Sequence, residues 1–599
     1  MELPKVNLME GVEKSLVETT IAKGRVTKDL VKIIDALPNL HGRCFTVTGP
    51  TGSGKSYVMT LLALLLLRGS AHLYPVHPDG TRGFRMPKLQ NHKRGDRDPE
   101  EEPKYYNPQI VISCPTNWLS SENCVEIQRT ADDLFNDEST MIIRMHPLEL
   151  ELLIADQRYT VNDTSGPTES KQNEDDLYHD GLVRVLKSVL THYEKCKSST
   201  VSDTPGISDK RLQHMNFSLG YRMLQVCGII PDSPWTTSGK YPNFVDFYKD
   251  RLEERKLIMS EQEMAFKKDL KRLARDTMAM AQIVIGTPFV LGTSLMYQSL
   301  HPTALFIDEA GMSKEADLLP LLTYYFPKAI GLFGDPKQLG PTILSTWPQN
   351  VFHRQLSIPL LSRMVENGIQ GFELVYQNRL VGNIHTVINR LFYDMTISNV
   401  KKEFVDPEGW EPKVKKFNME KFSVSKNLVF LNVPDSQESR TGFSFANRGH
   451  VLVALNLAFD LMSRLSIPPT DIVILVGYEA QKRAYLSEIS RRAERQPEVN
   501  WMKIRIHIIE TFQGNEAPFA IFDLVRSTTM GHMRSFRRLN VGMSRARYGL
   551  WCLYNKKAMT SKIDLNTSIL SQMRQEIRIR RLGCSVKTPV STSEKTRHV

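Results

Sequence analysis

The run GPTGSGKS has the residue types of a loop that binds phosphate, with glycines spaced so that backbone N–H groups can turn toward an anion. We predict that all eight of its residues bind a nucleotide: Gly49, Pro50, Thr51, Gly52, Ser53, Gly54, Lys55 and Ser56. Lys55 would reach the β- and γ-phosphates, and Ser56 would ligate Mg²⁺. An ordinary glycine turn could have this composition, but the loop follows an apolar run and precedes a helix-forming one, as phosphate binding requires.

Three further side chains follow apolar runs later in the chain. LFIDEAG at Leu305–Gly311 places Asp308 at a strand end, where it would bind Mg²⁺, and Glu309 beside it as a general base for water. GDPKQLGP at Gly334–Pro341 offers Gln338 to orient that water or to sense the γ-phosphate. A solvated strand end and a plain loop are the alternatives, and the order of the segments favours catalysis.

The last third of the chain has the residues that a second domain needs to reach the same nucleotide. QGNE lies at Gln513–Glu516, and RRLNVGMSRAR lies at Arg537–Arg547. A nucleotide site built from two distant segments indicates that hydrolysis moves two domains, which favours a motor on a polymer over a small-molecule kinase.

Ten short apolar runs are predicted to be the strands that position these residues. They are Cys44–Thr48, Ile110–Ser113, Ile283–Gly286, Leu305–Ile307, Ile330–Phe333, Leu428–Leu431, Ile472–Val476, Ile504–Ile509, Phe519–Phe522 and Leu550–Leu553. Continuous apolar strands separated by amphipathic stretches are typical of parallel sheets covered by helices. We therefore predict an α/β fold with two tandem domains.

The predicted boundaries follow from composition. The first domain covers residues 1–345 and includes an accessory insertion at about 119–280, with one long charged helix around Asp246–Met280. A mobile loop is expected at Pro75–Pro108. The second domain covers 346–583, and residues 584–599 are expected to form a disordered basic tail.

Charge and cysteine content restrict the partners. The 599 residues have a formal net charge of +11, which favours a polyanion. The seven cysteines are scattered, without a CxxC pair, so we expect no zinc site and an intracellular, cytoplasmic or nuclear setting. The apolar run Val58–Leu67 is too short to cross a bilayer, and no membrane partner is expected.

Taken in order, the motifs resemble a superfamily 1 helicase of the 5′-to-3′ branch that holds the nonsense-mediated-decay helicase and senataxin-type enzymes. Besides the phosphate loop, DEAG and GDPKQLGP, the matching segments are SCPTN (Ser113–Asn117), VIGTP (Val284–Pro288), YQNRL (Tyr376–Leu380), VGYEAQ (Val476–Gln481), ETFQGNE (Glu510–Glu516) and LNVGMSRAR (Leu539–Arg547). The resemblance implies two RecA-like domains that hydrolyse ATP, or other NTPs, with Mg²⁺ while translocating on single-stranded RNA or DNA.

The resemblance also implies roles for individual residues. Arg379 and Arg545 would bind the γ-phosphate when the domains close, Glu516 would contact the ribose, and Gln513 would couple nucleotide to strand; buried arginines could instead be structural ion-pair partners. Phosphates of the strand would be bound at strand-end turns by Thr116, Asn117, Thr287 and Thr511, although each could also be a turn or cap residue.

Two departures from the family affect nucleotide choice. No glutamine occurs before Gln90, so the family's adenine-reading glutamine is missing upstream of the loop, and Asn378 stands where the family usually has a tyrosine. Tyr376 is a candidate substitute for that tyrosine. The sequence predicts a helicase or translocase, with the insertion or tail as the expected place for protein partners. The alternative is an NTP-gated clamp or scaffold that binds nucleic acid with little unwinding.

Overall fold

The computed structural model describes most of the chain and divides it into two compact units. The described residues are 5–9, 11–24, 26–70, 84–85, 105–106, 108–136, 140–147, 182–191, 193–194, 215–231, 233–237, 239–252, 260–345, 348–400, 402–561 and 568–587. Unit 1 comprises Met1–Val47, Ser56–Phe333 and Ser345–Phe372, and unit 2 comprises Thr48–Lys55, Gly334–Leu344 and Glu373–Val599. The phosphate loop up to Lys55 therefore belongs to unit 2, together with most of the second half of the chain.

A seven-stranded sheet forms the centre of unit 1. Its strands are β3 (Cys44–Thr48), β6 (Ile110–Ser113), β7 (Ile142–Met145), β8 (Ile283–Gly286), β9 (Ala304–Ile307), β10 (Ala329–Gly334) and β11 (Gly371–Glu373). Their order is β11-β3-β10-β9-β6-β8-β7, and the five strands from β10 to β7 are parallel. Phe45, Phe306 and Phe333 pack edge-to-face across the middle of the sheet, with ring centroids 5.3–6.3 Å apart.

Helices and two short strand pairs complete unit 1. The helices are Lys14–Lys23, Lys28–Ala36, Lys55–Ser70, Asn117–Phe135, Leu219–Val226, Pro242–Leu252, Ser260–Met280, Pro288–Leu291, Ser294–Ser299, Glu315–Tyr324, His353–Leu356 and Leu360–Glu366, and residues 182–191 are also helical. The small strands β1 (Lys5–Val6) and β2 (Leu40–His41) pair antiparallel, as do β4 (Phe84–Arg85) and β5 (Tyr105–Tyr106). Apart from β4, β5 and Pro108, the predicted loop Pro75–Pro108 lies outside the described residues.

The predicted insertion overlaps a helix and a strand of the central part of unit 1. Residue 119 falls in the helix Asn117–Phe135, and the following strand β7 pairs with β8 in the central sheet. The predicted long helix is two helices, Pro242–Leu252 and Ser260–Met280, separated by residues 253–259, which lie outside the described ranges. They pack together through Phe244 and Phe266, whose rings stack at 5.4 Å.

A six-stranded parallel sheet forms the centre of unit 2. Its strands are β14 (Leu428–Asn432), β17 (Ile472–Val476), β18 (Arg505–Ile508), β19 (Ala517–Asp523), β20 (Ala546–Tyr554) and β21 (Gly583–Ser585). The order is β18-β17-β19-β20-β14-β21, and β14, β17, β19 and most of β20 are buried along their length. All ten predicted strands are present, and the α/β class with two parallel sheets is confirmed.

Unit 2 also contains helices, a parallel strand pair and a β-hairpin. The helices are Gly382–Phe392, Lys402–Val405, Trp410–Phe422, Arg448–Leu465, Glu479–Arg495, Phe536–Met543, Lys556–Met559 and Ser568–Arg580. The pair is β12 (Tyr376–Gln377) with β13 (Ser398–Asn399), and the hairpin is β15 (Ser439–Thr441) with β16 (Ser444–Ala446).

The described residues continue past the predicted start of the tail. Cys584 and Ser585 lie in β21 and pair with Leu431 and Asn432 of β14, while residues 588–599 are not described. No helix within the described ranges combines the length and the apolar character needed to cross a bilayer.

Candidate nucleotide and nucleic-acid site

The phosphate loop joins β3 to the helix that starts at Lys55. Gly52 and Gly54 have φ of +78° and +83°, a left-handed conformation that favours glycine. The ammonium of Lys55 is buried and donates to the carbonyl oxygens of Gly49 (2.9 Å) and Pro50 (3.0 Å). A cation without a carboxylate partner in these bonds, beside a helix N-terminus, suits a polyphosphate.

Ser56 and Asp308 lie together in unit 1 as the metal-binding prediction requires. The Ser56 hydroxyl is 3.3 Å and 3.4 Å from the two carboxylate oxygens of Asp308. Asn123 Nδ2 donates to the same carboxylate at 2.9 Å and fixes its orientation. Because Mg²⁺ prefers hydroxyl and carboxylate oxygens and retains several waters, this pair fits the ion.

Glu309 has a backbone conformation that is unusual for its residue type. Its φ is +45°, and its N–H donates to the side chain of Asp308 at 2.9 Å. Left-handed non-glycine residues are strained and occur often at active sites. The strand β9 is therefore followed by two acids, one buried and one half-buried.

Within unit 2, Gln338 and Arg545 converge on Thr51 of the phosphate loop. The Nη2 group of Arg545 donates to Thr51 Oγ1 (2.9 Å) and to Gln338 Oε1 (2.7 Å). Gln338 Nε2 donates to the same Thr51 hydroxyl at 2.8 Å. Arg545 is only 1% exposed, so a guanidinium from the end of the chain is held against the loop near its beginning.

Arg379 also approaches the loop, and it is paired with Glu516. A Cβ atom added to Gly52 would lie 2.5 Å from Arg379 Cβ, so the loop and this arginine are closely packed. Arg379 forms an ion pair with Glu516, and Arg547 Nη1 lies 3.8 Å from the same carboxylate. The charge of Arg379, opposed by burial and assisted by Arg547, lowers the pKa of Glu516.

Sequence reasoning missed the residues that support these arginines. Gln377 accepts from the N–H groups of Arg379 (2.8 Å) and Leu380 (2.7 Å), and so fixes the turn that carries Arg379. Gln377 lies within the YQNRL segment, but its position there did not indicate this role.

A second missed group holds Gln338. Asp335 accepts from Gln338 Nε2 (2.7 Å) and from the Tyr393 hydroxyl (2.6 Å), and Asn540 donates to that hydroxyl at 2.9 Å. Burial and the adjacent Asp335 raise the pKa of Tyr393, so its hydroxyl stays protonated and acts as a donor. Tyr393 lies in no recognisable motif.

Three of the four predicted strand-binding residues follow adjacent strands of unit 1. Thr116 and Asn117 come after β6, Thr287 comes after β8, and the two strands end in register at Ser113 and Gly286. Thr116 also caps its helix, since its hydroxyl accepts from Leu119 N–H at 3.2 Å. Thr511 lies in unit 2 after β18, and its hydroxyl donates to the Ile508 carbonyl at 2.9 Å.

Two aromatic residues beside these turns were not predicted. Trp118 is 42% exposed and Phe289 is 80% exposed, each within two residues of a predicted phosphate-binding side chain. Exposed aromatic rings beside hydroxyl and amide donors match the chemistry of a surface that stacks bases while binding phosphates. Gln513, next to Thr511 in its motif, has a buried Oε1 with no hydrogen-bond partner among the described residues.

Two family profiles match the chain. A profile described as an AAA domain covers residues 29–346, more than half of the chain, and a second AAA domain profile covers residues 356–557.

Among curated proteins, the chain is 25% identical over 339 residues to a Regulator of nonsense transcripts 1 homolog of Arabidopsis thaliana, covering 55% of this chain and 25% of that protein. It is 26% identical over 290 residues to the ATP-dependent helicase NAM7 of Saccharomyces cerevisiae, covering 47% and 28%. The match thus spans about a quarter of the length of such relatives. A solved structure of the DUF1998 helicase MrfA bound to DNA aligns with 93% of this chain and 53% of its own at 10% identity, but its TM-score of 0.33 is too low to support an inference.

Proposed function

Because this chain belongs to the superfamily 1 helicases that resemble the regulators of nonsense transcripts, we propose that it couples NTP hydrolysis to movement along single-stranded nucleic acid and to unwinding of duplexes or remodelling of ribonucleoproteins. The observation that carries this proposal is the convergence of Arg545 and Gln338 on Thr51. A single-domain kinase would not need an arginine that lies 494 residues after its phosphate loop and contacts that loop.

The nucleotide would be ATP, with other NTPs as further substrates. The loop N–H groups and the Lys55 ammonium would bind the phosphates, and Ser56 with Asp308 would hold Mg²⁺. Bound there, Mg²⁺ would neutralise charge on the phosphate oxygens. Lys55, which donates to two loop carbonyls, would exchange those bonds for phosphate oxygens.

Hydrolysis would depend on residues from both halves of the sequence. Glu309 would accept a proton from the attacking water, and Gln338 would orient that water. Arg545 and Arg379 would place positive charge at the γ-phosphate, where negative charge grows in the transition state. For Arg379 this requires release from its ion pair with Glu516, which would free that carboxylate for the ribose.

The polymer would be single-stranded RNA or DNA. Thr116, Asn117 and Thr287 would bind phosphates without reading bases, with Thr511 contributing from unit 2. The basic net charge supports this partner class. An intracellular location, cytoplasmic or nuclear, and protein partners through the insertion or tail are part of the same proposal.

The decisive experiment measures hydrolysis and strand displacement together. ATP turnover is measured without polymer, with single-stranded RNA and with single-stranded DNA, and a labelled duplex with a single-stranded overhang reports unwinding. We expect turnover to rise on adding one or both strands and the duplex to separate only with hydrolysable nucleotide. Lys55→Ala is the control for contaminating activity.

Two outcomes would change the conclusion. Strand-stimulated turnover without displacement of the duplex would identify an NTP-gated clamp. Turnover that is unchanged by single-stranded RNA and by single-stranded DNA would contradict a nucleic-acid motor altogether.

A further inference from the structure

A two-stranded hairpin leaves the carboxyl end of β14 in unit 2 and places an apolar side chain in solvent. Ser439 pairs with Ala446 and Thr441 with Ser444, which leaves Gly442 and Phe443 as a two-residue turn. Gly442 has φ of +59°, as expected for glycine at the first central position of such a turn. Phe443 is 98% exposed, the highest value of any large hydrophobic side chain in the described residues.

The base of the hairpin is firmly attached to the domain. Glu438 accepts from Arg526 Nε (3.0 Å) and Nη2 (3.1 Å), from the Ser527 N–H and from the Thr528 hydroxyl (2.8 Å). Partial burial opposes ionisation of this carboxyl, but these donors outweigh it and lower its pKa to about 2. The segment that precedes β15 is therefore fixed by a charged, multiply bonded contact.

The second strand of the hairpin is attached as well. Phe445 packs edge-to-face on Tyr478 at 5.5 Å and lies beneath the Arg526 guanidinium at 3.7 Å. Ser444 Oγ accepts from Ala480 N–H at 3.0 Å, at the start of the helix Glu479–Arg495. Both ends of the hairpin are thus attached to unit 2, while the side chain of Phe443 at its tip is exposed.

The exposed ring of Phe443 leaves apolar area in water and adds nothing to the stability of the fold. Its ring contributes no core packing, and a Cβ added to the neighbouring Gly442 would meet no atom within 4 Å. Hydrophobic stabilisation comes from apolar area removed from water, so Phe443 gains it only when another molecule covers it. A bound partner is the simplest reason for its position.

The charge around the hairpin indicates which partner this is. The segments 434–448, 477–483 and 525–538 contain eight basic residues and three acids: Arg440, Arg448, Lys482, Arg483, Arg526, Arg534, Arg537 and Arg538 against Asp435, Glu438 and Glu479. Arg526 is ion-paired with Glu438, and Arg538 is ion-paired with Glu510 outside these segments, so six basic residues remain against Asp435 and Glu479. Of the basic side chains, Arg440 lies in β15 and donates to the Gly442 carbonyl at 2.8 Å. An exposed ring on a hairpin whose neighbouring segments have this excess of positive charge suits a polymer that offers both phosphates and flat bases.

We propose that Phe443 is a base-stacking residue: the hairpin Ser439–Ala446 presents its ring to an unpaired base of the single strand, while basic side chains of these segments bind the phosphates. This inference rests on the proposed nucleic-acid function and adds to it a contact in unit 2 that the helicase motifs do not contain. Stacking on a phenyl ring is tolerant of sequence, because every base has a flat face.

The test compares strands with and without bases. Affinity for a fluorescent oligothymidine is measured beside affinity for an abasic strand of equal length and charge, for the full chain and three variants. Phe443→Ala should weaken binding to oligothymidine by about tenfold, the range for loss of one stacked base. Phe443→Trp should bind at least as tightly as the original chain, and Phe443→Leu should behave like Phe443→Ala, because it keeps apolar character and loses the flat face.

The abasic strand and a second phenylalanine provide the controls. On the abasic strand, the original chain and Phe443→Ala should bind equally, since only phosphate contacts remain. Phe404→Ala removes another exposed phenylalanine of unit 2, in the short helix Lys402–Val405, and should leave both affinities unchanged.

The outcomes separate this inference from the proposed function. If the original chain binds oligothymidine and Phe443→Ala binds it equally well, stacking is wrong while nucleic-acid binding stands. A Leu variant that binds oligothymidine like the original would also overturn stacking and would indicate an apolar contact with the strand that needs no flat ring. If the original chain binds neither of these strands nor an oligouridine of equal length, the proposed function itself fails.

Discussion

Replacing Arg545 with alanine tests whether the arginine held against the phosphate loop acts in hydrolysis. Arg545 donates to the side chains of Thr51, Gln338 and Ser544 and to two backbone carbonyls. If its charge supports the transition state, Arg545→Ala should lower strand-stimulated turnover by about a thousandfold or more, equivalent to about 4 kcal/mol. Nucleotide affinity should change little, because Lys55 and the loop N–H groups remain.

The same contacts predict a loss of stability that must be measured separately. Arg545 is 1% exposed, so its removal leaves buried acceptors without donors, at a cost of about 1–3 kcal/mol for each fully unsatisfied group. We therefore expect a lower melting temperature as well as lower turnover. Arg545→Lys should rescue turnover poorly, because a point charge cannot replace the planar donor set that spans Thr51 and Gln338.

A matched variant distinguishes the two effects. Asn555 is also 1% exposed and donates to the Val433 carbonyl at 3.0 Å, and it contacts no residue of the phosphate loop in its recorded hydrogen bonds. Asn555→Ala should lower the melting temperature while retaining turnover in the folded fraction. The assay is steady-state hydrolysis below both melting temperatures, with nucleotide affinity measured on the same samples. Folded Arg545→Ala with turnover equal to Asn555→Ala would refute the catalytic role.

Three further predictions concern the loop, the base and acid stability. Lys55→Ala and Glu309→Gln should both abolish turnover, but only Lys55→Ala should weaken binding of a fluorescent nucleotide, since only it removes a phosphate contact; equal loss of affinity would contradict these roles. With no glutamine upstream of the loop, GTP or CTP should support turnover within about tenfold of ATP, and a several-hundredfold preference for ATP would mean that another side chain reads the base. The folded-state pKa of Glu438, about 2, lies below its ordinary value, so its contribution to stability should be complete above about pH 4.5 and be lost as the pH falls toward 2; melting curves of the original chain and Glu438→Gln should differ at pH 7 and converge near pH 2.

The sequence alone determined the features that depend on short segments. The apolar runs that form β3, β6, β8, β9 and β10 were readable because buried parallel strands are continuously apolar. The phosphate loop was readable because only a glycine-rich turn between a strand and a helix can aim several N–H groups at an anion. The position of Asp308 and Glu309 after β9 was also readable, because the run before them is continuously apolar.

Elements that lack such a pattern were missed. β11 is largely exposed and three residues long, and β21 is an equally short edge strand beyond the predicted domain end. β7 has a buried arginine, Arg144, in its apolar run and lies in a segment that was interpreted as an insertion. Each belongs to its sheet through pairing with a neighbour and not through its own composition.

Tertiary structure decided which distant side chains meet. The sequence identified Arg545, Gln338 and Arg379 as candidates, but not that Arg545 and Gln338 share one hydroxyl of Thr51, nor that Arg379 is paired with Glu516. Tyr393 and Phe443 belong to no motif, and they differ in burial. The hydroxyl of Tyr393 is buried against Asp335, whereas the ring of Phe443 is exposed to solvent. Burial and partnership arise only when segments hundreds of residues apart pack together, so no local pattern records them.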